Sequence, residues 1–140
     1  MLYSWDITVP ANTTVADPVR QDLKLGYGVV SQVTVLFPPG CARLVHLRIF
    51  RGANQIWPST SDQDLSGDTF PIEWPEYYEL VNHPFVVVAR LWNEDDTYEH
   101  TVTIRIAVLP RKAVVAYALA DALSRLFSVL SPRRLFTGGG

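Results

Sequence analysis

The 140-residue chain reads as an all-β protein, an antiparallel β-sandwich followed by a C-terminal amphipathic α-helix. Three observations predict this class. Before Pro110, β-branched and apolar residues alternate with period two in several short stretches. Those stretches are punctuated by turn formers, within a total of ten prolines and eight glycines. After Pro110 the apolar spacing changes to that of a helix.

The elements follow in order. Residues 5–9, WDITV, predict a short first strand that Pro10 ends. Residues 10–19, PANTTVADPV, predict a polar connection, because proline fixes its own φ and biases its predecessor away from helix. GVVSQVTVLF is a clearer strand, with Val29, Ser31, Val33, Val35 and Phe37 on one face and Val30, Gln32, Thr34 and Leu36 on the other. PPGC at 38–41 is a turn. ARLVHLRIF returns with Val45, Leu47 and Ile49 on one face and Leu44, His46, Arg48 and Phe50 on the other. RGAN is a hairpin-like loop into QIW, and Pro58 stops that strand.

Residues 59–68 have no periodicity and predict a loop. TFPIEW predicts a short edge strand, and PEYYELVNHP an irregular aromatic segment. PFVVVARLW predicts a strand buried on both faces. TYEHTVTIRIAV has the cleanest alternation, with Tyr98, His100, Val102, Ile104, Ile106 and Val108 on one side. About eight strands separated by turns, with long loops between hairpins, suit a sandwich of jelly-roll type better than a meander.

In RKAVVAYALADALSRLFSVLSP the apolar positions include Val115, Leu119, Leu123, Leu126, Phe127 and Leu130, a wide helical stripe. Asp121, Ser124, Arg125 and Ser128 form the narrow polar face, and Pro132 stops the helix. The expected organisation is a sandwich at 1–110, a helix at 111–132 and a flexible basic, glycine-ended tail at 133–140.

Composition narrows the function. Cys41 is the sole cysteine, so an internal disulfide or a cysteine-rich zinc module is excluded. MLYSWDITVP lacks a basic, then apolar, secretory pattern, and synthesis and folding in a cytoplasm are expected. The net charge of −2 divides into −6 over residues 1–110 and +4 over 111–140. An acidic body is a poor partner for a nucleic-acid backbone.

WNEDDTYEH holds four carboxylates and a histidine. Asn and Asp favour turns, so NEDD predicts a four-residue hairpin loop. Alternation sends Glu99 and His100 to opposite sides of the sheet. A calcium site from Asn93, Asp95 and Asp96 is the alternative to a solvated turn, although the spacing matches no EF-hand. His46 and His100 are candidate neighbours on adjacent strands, but no His-x-His or HExxH accompanies them. No GxSxG, GxxxxGK[ST] or GxGxxG occurs. Cys41 follows a tight turn and reads as turn geometry. The expectation is a protein without enzymatic activity, cofactor or metal.

Aromatic residues offer contact surface. Trp57, Trp74, Tyr77 and Tyr78 are candidates for a protein interface or, as exposed rings, for sugar stacking in a carbohydrate-binding module. The helix allows three placements: against its own sandwich, in an assembly with copies or a larger partner, or at a membrane. Arg111, Lys112, Arg133 and Arg134 flank it, while Asp121 and Arg125 would each cost a few kcal/mol at a bilayer centre.

DITVPANTTVADPVRQDLKL, VTVLFPPGCARLVHLRI, QIWPS and WNEDDTYEHTVTIRIAVLP together resemble small proteins encoded in the structural gene clusters of tailed phages and prophages. The resemblance covers about residues 5–110 and is one of pattern, with no catalytic motif. It implies a jelly-roll virion component: a capsid decoration (cement) protein, or a minor head, neck or tail protein. Such proteins are small, acidic, cysteine-poor and often trimeric. The implied partners are virion proteins such as a major capsid protein, and the implied location is the virion, after synthesis in the host cytoplasm. The long apolar helix departs from a plain decoration domain.

Overall fold

The computed structural model describes residues 1–130. Nine strands and one helix follow in order: β1 (Leu2–Val9), β2 (Val19–Lys24), β3 (Gly28–Leu36), β4 (Val45–Arg51), β5 (Asn54–Trp57), β6 (Leu65–Ser66), β7 (Ile72–Leu80), β8 (Val86–Asn93), β9 (His100–Leu109) and α1 (Arg111–Val129). Two antiparallel sheets form a β-sandwich. One has the order β1-β9-β3-β7, and the other has the order β2-β8-β4-β5 with β6 also on β4.

Alternation drives the packing. Ile7, Val33, Val35, Val102, Ile104 and Ile106 face inward from the first sheet. Leu23, Val45, Leu47, Ile49, Val87 and Leu91 meet them from the second. Burying each such side chain contributes roughly 1.5–3 kcal/mol. Phe37 and Cys41 fill the core from the 37–44 connection. Among the described side chains of α1, none belongs to this core.

The expected strands at 5–9, 28–37, 42–50, 84–92 and 97–108 all occur, with shifted ends. The first begins at Leu2, because the Met1 ammonium donates to the Val108 carbonyl and the Val108 N–H to the Met1 carbonyl, each at 2.7 Å. The fourth begins only at Val45, because Ala42 and Arg43 take positive φ (49° and 62°). The last begins at His100, leaving Tyr98 in the preceding turn and exposed.

Several expectations need correction. β2, VRQDLK, was not anticipated, because an edge strand with Leu23 as its one fully buried residue looks like polar loop. β6 arises inside the expected 59–68 loop through pairing with β4. β7 runs unbroken through Pro75, so TFPIEW and PEYYELVNHP are largely one edge strand. Its place at the edge frees Pro75 from donating on one side. β8 is fully buried on its inner face, while Val86, Val88 and Arg90 on its outer face are half-buried. A bulge between Val30 and Gln32 switches faces, so Val30, and not Val29, shares the core with Val33 and Val35.

α1 follows Pro110 directly and meets the sandwich chiefly at β3. It ends at Val129, with Leu130 capping the last turn, and the expected helix stop at Pro132 and the tail at 133–140 lie outside the described residues. Near its start, Gly28 has φ +154°, and a Cβ there would lie 2.0 Å from the Leu109 carbonyl oxygen. Gly28→Ala is therefore expected to cost more than about 1 kcal/mol, read as a lower urea midpoint at unchanged slope.

Candidate functional site

The acid-rich turn was expected to be a hairpin, but β8 and β9 lie in different sheets. Residues 94–99 therefore carry the chain from one sheet to the other. Asn93 anchors the crossing, fully buried. Its amide donates to the Val9 carbonyl at 3.3 Å and the Tyr98 carbonyl at 2.9 Å, and its Oδ1 accepts from the Asp95 N–H at 2.9 Å. Its own N–H donates to the Thr13 carbonyl at 3.0 Å. The 10–18 connection is tied in as well, since the Asn12 N–H donates to the Asp95 carbonyl at 2.9 Å.

Asp95 is equally engaged. Oδ1 accepts from the N–H groups of Thr97 and Tyr98 at 2.9 and 3.1 Å, and Oδ2 meets His100 Nε2 at 2.9 Å. The His100 bond first, and the two backbone N–H bonds next, hold its carboxyl below its ordinary value. The side-chain oxygens of Asn93 and Asp95 considered for calcium are thus engaged in turn contacts, and Asp96 Oδ1 accepts from the Thr97 hydroxyl at 2.8 Å. Among the described residues, no group of three or more His, Cys, Asp or Glu is placed to hold a metal ion.

His46 and His100 are not neighbours, because β4 and β9 belong to opposite sheets. His46 stands on the outer face of its sheet, stacked on Trp92 with centroids 5.2 Å apart. Its Nδ1 contacts the Asp64 carboxylate, and its Nε2 lies 3.1 Å from Glu94. His83 packs on Phe85 at 4.1 Å between centroids. Cys41 is buried, and burial, with Asp68 and Asp95 adding, pushes its thiol up to about 11. At neutral pH it is therefore a protonated core thiol.

The aromatic candidates separate. Trp57 was expected to be exposed but is 3% exposed. It reaches from β5 across to β7, with ring centroids 6.2 Å from Trp74 and 5.6 Å from Tyr78, both edge-on. Trp57 and Trp74 donate their indole N–H groups to the same Glu76 oxygen at 2.8 and 3.1 Å. These rings close one side of the sandwich and leave no stacking platform on Trp57. The signal that would have found this is Glu76 two residues after Trp74, a carboxylate both indoles need. Tyr78 also takes Arg51 at 5.8 Å over its ring. Tyr77, on the opposite side of β7, is 60% exposed, with its hydroxyl donating to Glu79 at 3.3 Å.

The helix candidates stay together on one element. Every side chain of α1 from Val115 onward is exposed, as is Leu130. Val115, Leu119, Leu123, Leu126, Phe127 and Leu130 range from 52% to 69% exposed. The two sheets close the core between them, and α1 touches the sandwich at its start, along β3. Asp121 and Arg125 pair at 3.0 Å on its polar face. No helix among the described residues is long and apolar enough to cross a membrane.

Comparison of the chain with protein-family models, with curated proteins and with solved structures finds no match.

Two outcomes test the crossing. Asn93→Ala strands a buried N–H and two carbonyls, and about 1–3 kcal/mol of stability should be lost in denaturant titration. A carboxyl depressed in the folded state contributes stability that is complete above its unfolded value and disappears as pH falls through its folded value. Thermal midpoints of the wild type should therefore drop below about pH 4, and Asp95→Asn should flatten that acid limb.

Proposed function

We propose that this chain is a non-enzymatic virion structural protein of the tailed-phage type, a jelly roll that oligomerises through α1 and docks on a capsid or other virion shell. The observation that carries the reading is the exposed apolar surface of α1 on a sandwich that needs no further cover. Contiguous exposed apolar surface of this kind marks association sites.

The strand order supports the jelly-roll part of the reading. β1 to β4 alternate between sheets, as do β7 to β9, so β1-β9-β3-β7 faces β2-β8-β4-β5. A long antiparallel hairpin rolled onto itself produces that alternation. The non-enzymatic part is supported by the commitments of Asp95, Glu76 and Cys41 to turn, edge and core. With Trp57 buried, sugar stacking on that ring has no support.

The occupant of α1 is further copies of the same helix. Its apolar residues sweep roughly 200° of the circumference, more than the a/d seam of a two-helix coiled coil covers. Two neighbouring helices cover such an arc, which favours a trimer. The resulting assembly presents several equivalent sandwiches to a repeating shell, and multivalent contact raises avidity without an active site. Synthesis is in the host cytoplasm and the destination is the virion.

Sedimentation equilibrium tests the reading. The full chain should run at about threefold the monomer mass, and a chain ending at Pro110 as a folded monomer. Leu119→Asp combined with Leu123→Asp should reproduce the truncation. Identical monomers in all three samples would discard the assembly role.

A further inference from the structure

The outer face of the β2-β8-β4 sheet carries a row of three arginines. Arg20 is paired in register with Arg90, and Arg90 with Arg48, so one guanidinium-bearing residue stands on each of three adjacent strands. Residues opposite one another in a sheet have Cβ atoms about 5 Å apart, and like charges there destabilise the pairing. Something must offset a row of this kind. Arg48 is compensated from one side: it donates to the Asp62 carbonyl at 2.8 Å and lies 3.6 Å from Asp64 and 3.8 Å from the Asp62 carboxylate. Arg90, in the middle, has no carboxylate within 4.0 Å among the described residues and makes no hydrogen bond there; its guanidinium lies over Phe50 at 4.0 Å. Arg20 likewise has no carboxylate partner among the described residues.

The Nε–H groups of both Arg48 and Arg90 are buried without a partner among the described residues, so the protein itself does not satisfy either guanidinium fully. The three arginines also line one depression of about 160 Å³, together with Phe50, Trp92 and Pro18, and no acidic side chain lines it. Such a volume suits a small group and not an extended chain. Arg48 additionally lies over Trp92 at 5.2 Å, so the ring holds one wall of the depression in place. Planar guanidinium forks match tetrahedral oxyanions bidentately, and a dianion offsets the charges of Arg20 and Arg90, which lack carboxylate partners among the described residues, more fully than a single carboxylate does.

We infer that Arg20, Arg90 and Arg48 form a binding site for a phosphate-type oxyanion, either free or carried as a small organic monoester. The site lies on the sheet away from β3, where α1 meets the sandwich, and stands independently of the assembly role. Arg90 is the central donor, Arg48 the donor pre-positioned by Asp62 and Asp64, and Arg20 the exposed outer clamp.

The test is NMR titration of the full chain with inorganic phosphate at constant ionic strength, following the arginine Nε–H and Trp92 indole signals. Saturable shifts are expected. Arg90→Gln should weaken the apparent affinity about tenfold, the loss of one charge-assisted bond. Arg20→Gln, on an exposed edge, should weaken it several-fold and serves where Arg90→Gln fails to fold. Arg105→Gln, on the opposite sheet, should change nothing. Phenyl phosphate distinguishes the source: tighter binding than inorganic phosphate assigns an organic monoester, and equal binding the free anion. Absence of saturable shifts, equal affinity in wild type and Arg20→Gln, or a response to acetate but not phosphate would overturn the assignment.

Discussion

The sandwich depends on one buried amide. Asn93 ends β8, an inner strand of one sheet, at the point where the chain must leave for β9, an inner strand of the other. A crossing between sheets exposes backbone groups in the interior, and each must find a partner. Asn93 provides an acceptor to Asp95 and donors to Val9 and Tyr98, so the remote end of β1 and both ends of the crossing converge on one side chain. Asp95 continues the arrangement outward through Thr97, Tyr98 and His100. The Asp95 carboxylate is structural, because the crossing engages both of its oxygens.

At the β5 and β7 side, closure works differently. There the two sheets meet through rings, and the polar atoms those rings bring into the edge share a single acceptor on Glu76. Burying an indole without a partner for its N–H would cost more than the ring contact contributes. With one end closed by an amide and one side by two indoles, the two sheets enclose the core between them, and the α1 side chains from Val115 onward remain exposed.

Two surfaces of opposite character result. α1 leaves from the sheet containing β3 and presents aliphatic and aromatic side chains, while the outer face of the other sheet presents the arginine row. The body carries a net charge of −6 over residues 1–110, so the field of the arginine row is local, screened within a Debye length of about 8 Å. The proposed association surface and the proposed oxyanion site thus belong to separate sheets of one scaffold.

The sequence by itself determined whatever depends on neighbours along the chain. Alternation in VTVLF, LVHLRIF and HTVTIRIAV set which residues face inward, Pro38, Pro39 and Gly40 set a turn, and the change of period after Pro110 set the helix. Its reading failed where the deciding contact was remote. β2 and β6 are strands because β8 and β4 supply hydrogen-bond partners, not because their own residues demand it. The bulge at Val30 reverses a face that strict alternation assigned otherwise. NEDD carries ordinary turn residues, and only the assignment of β8 and β9 to different sheets makes it a crossing. Trp57 reads as exposed until Trp74 and Glu76 come beside it. Arg20, Arg48 and Arg90 lie far apart in the chain, and pairing register alone aligns them. Side-chain period is a local property, while register and sheet membership are settled by long-range pairing, so only the tertiary structure could bring those groups together.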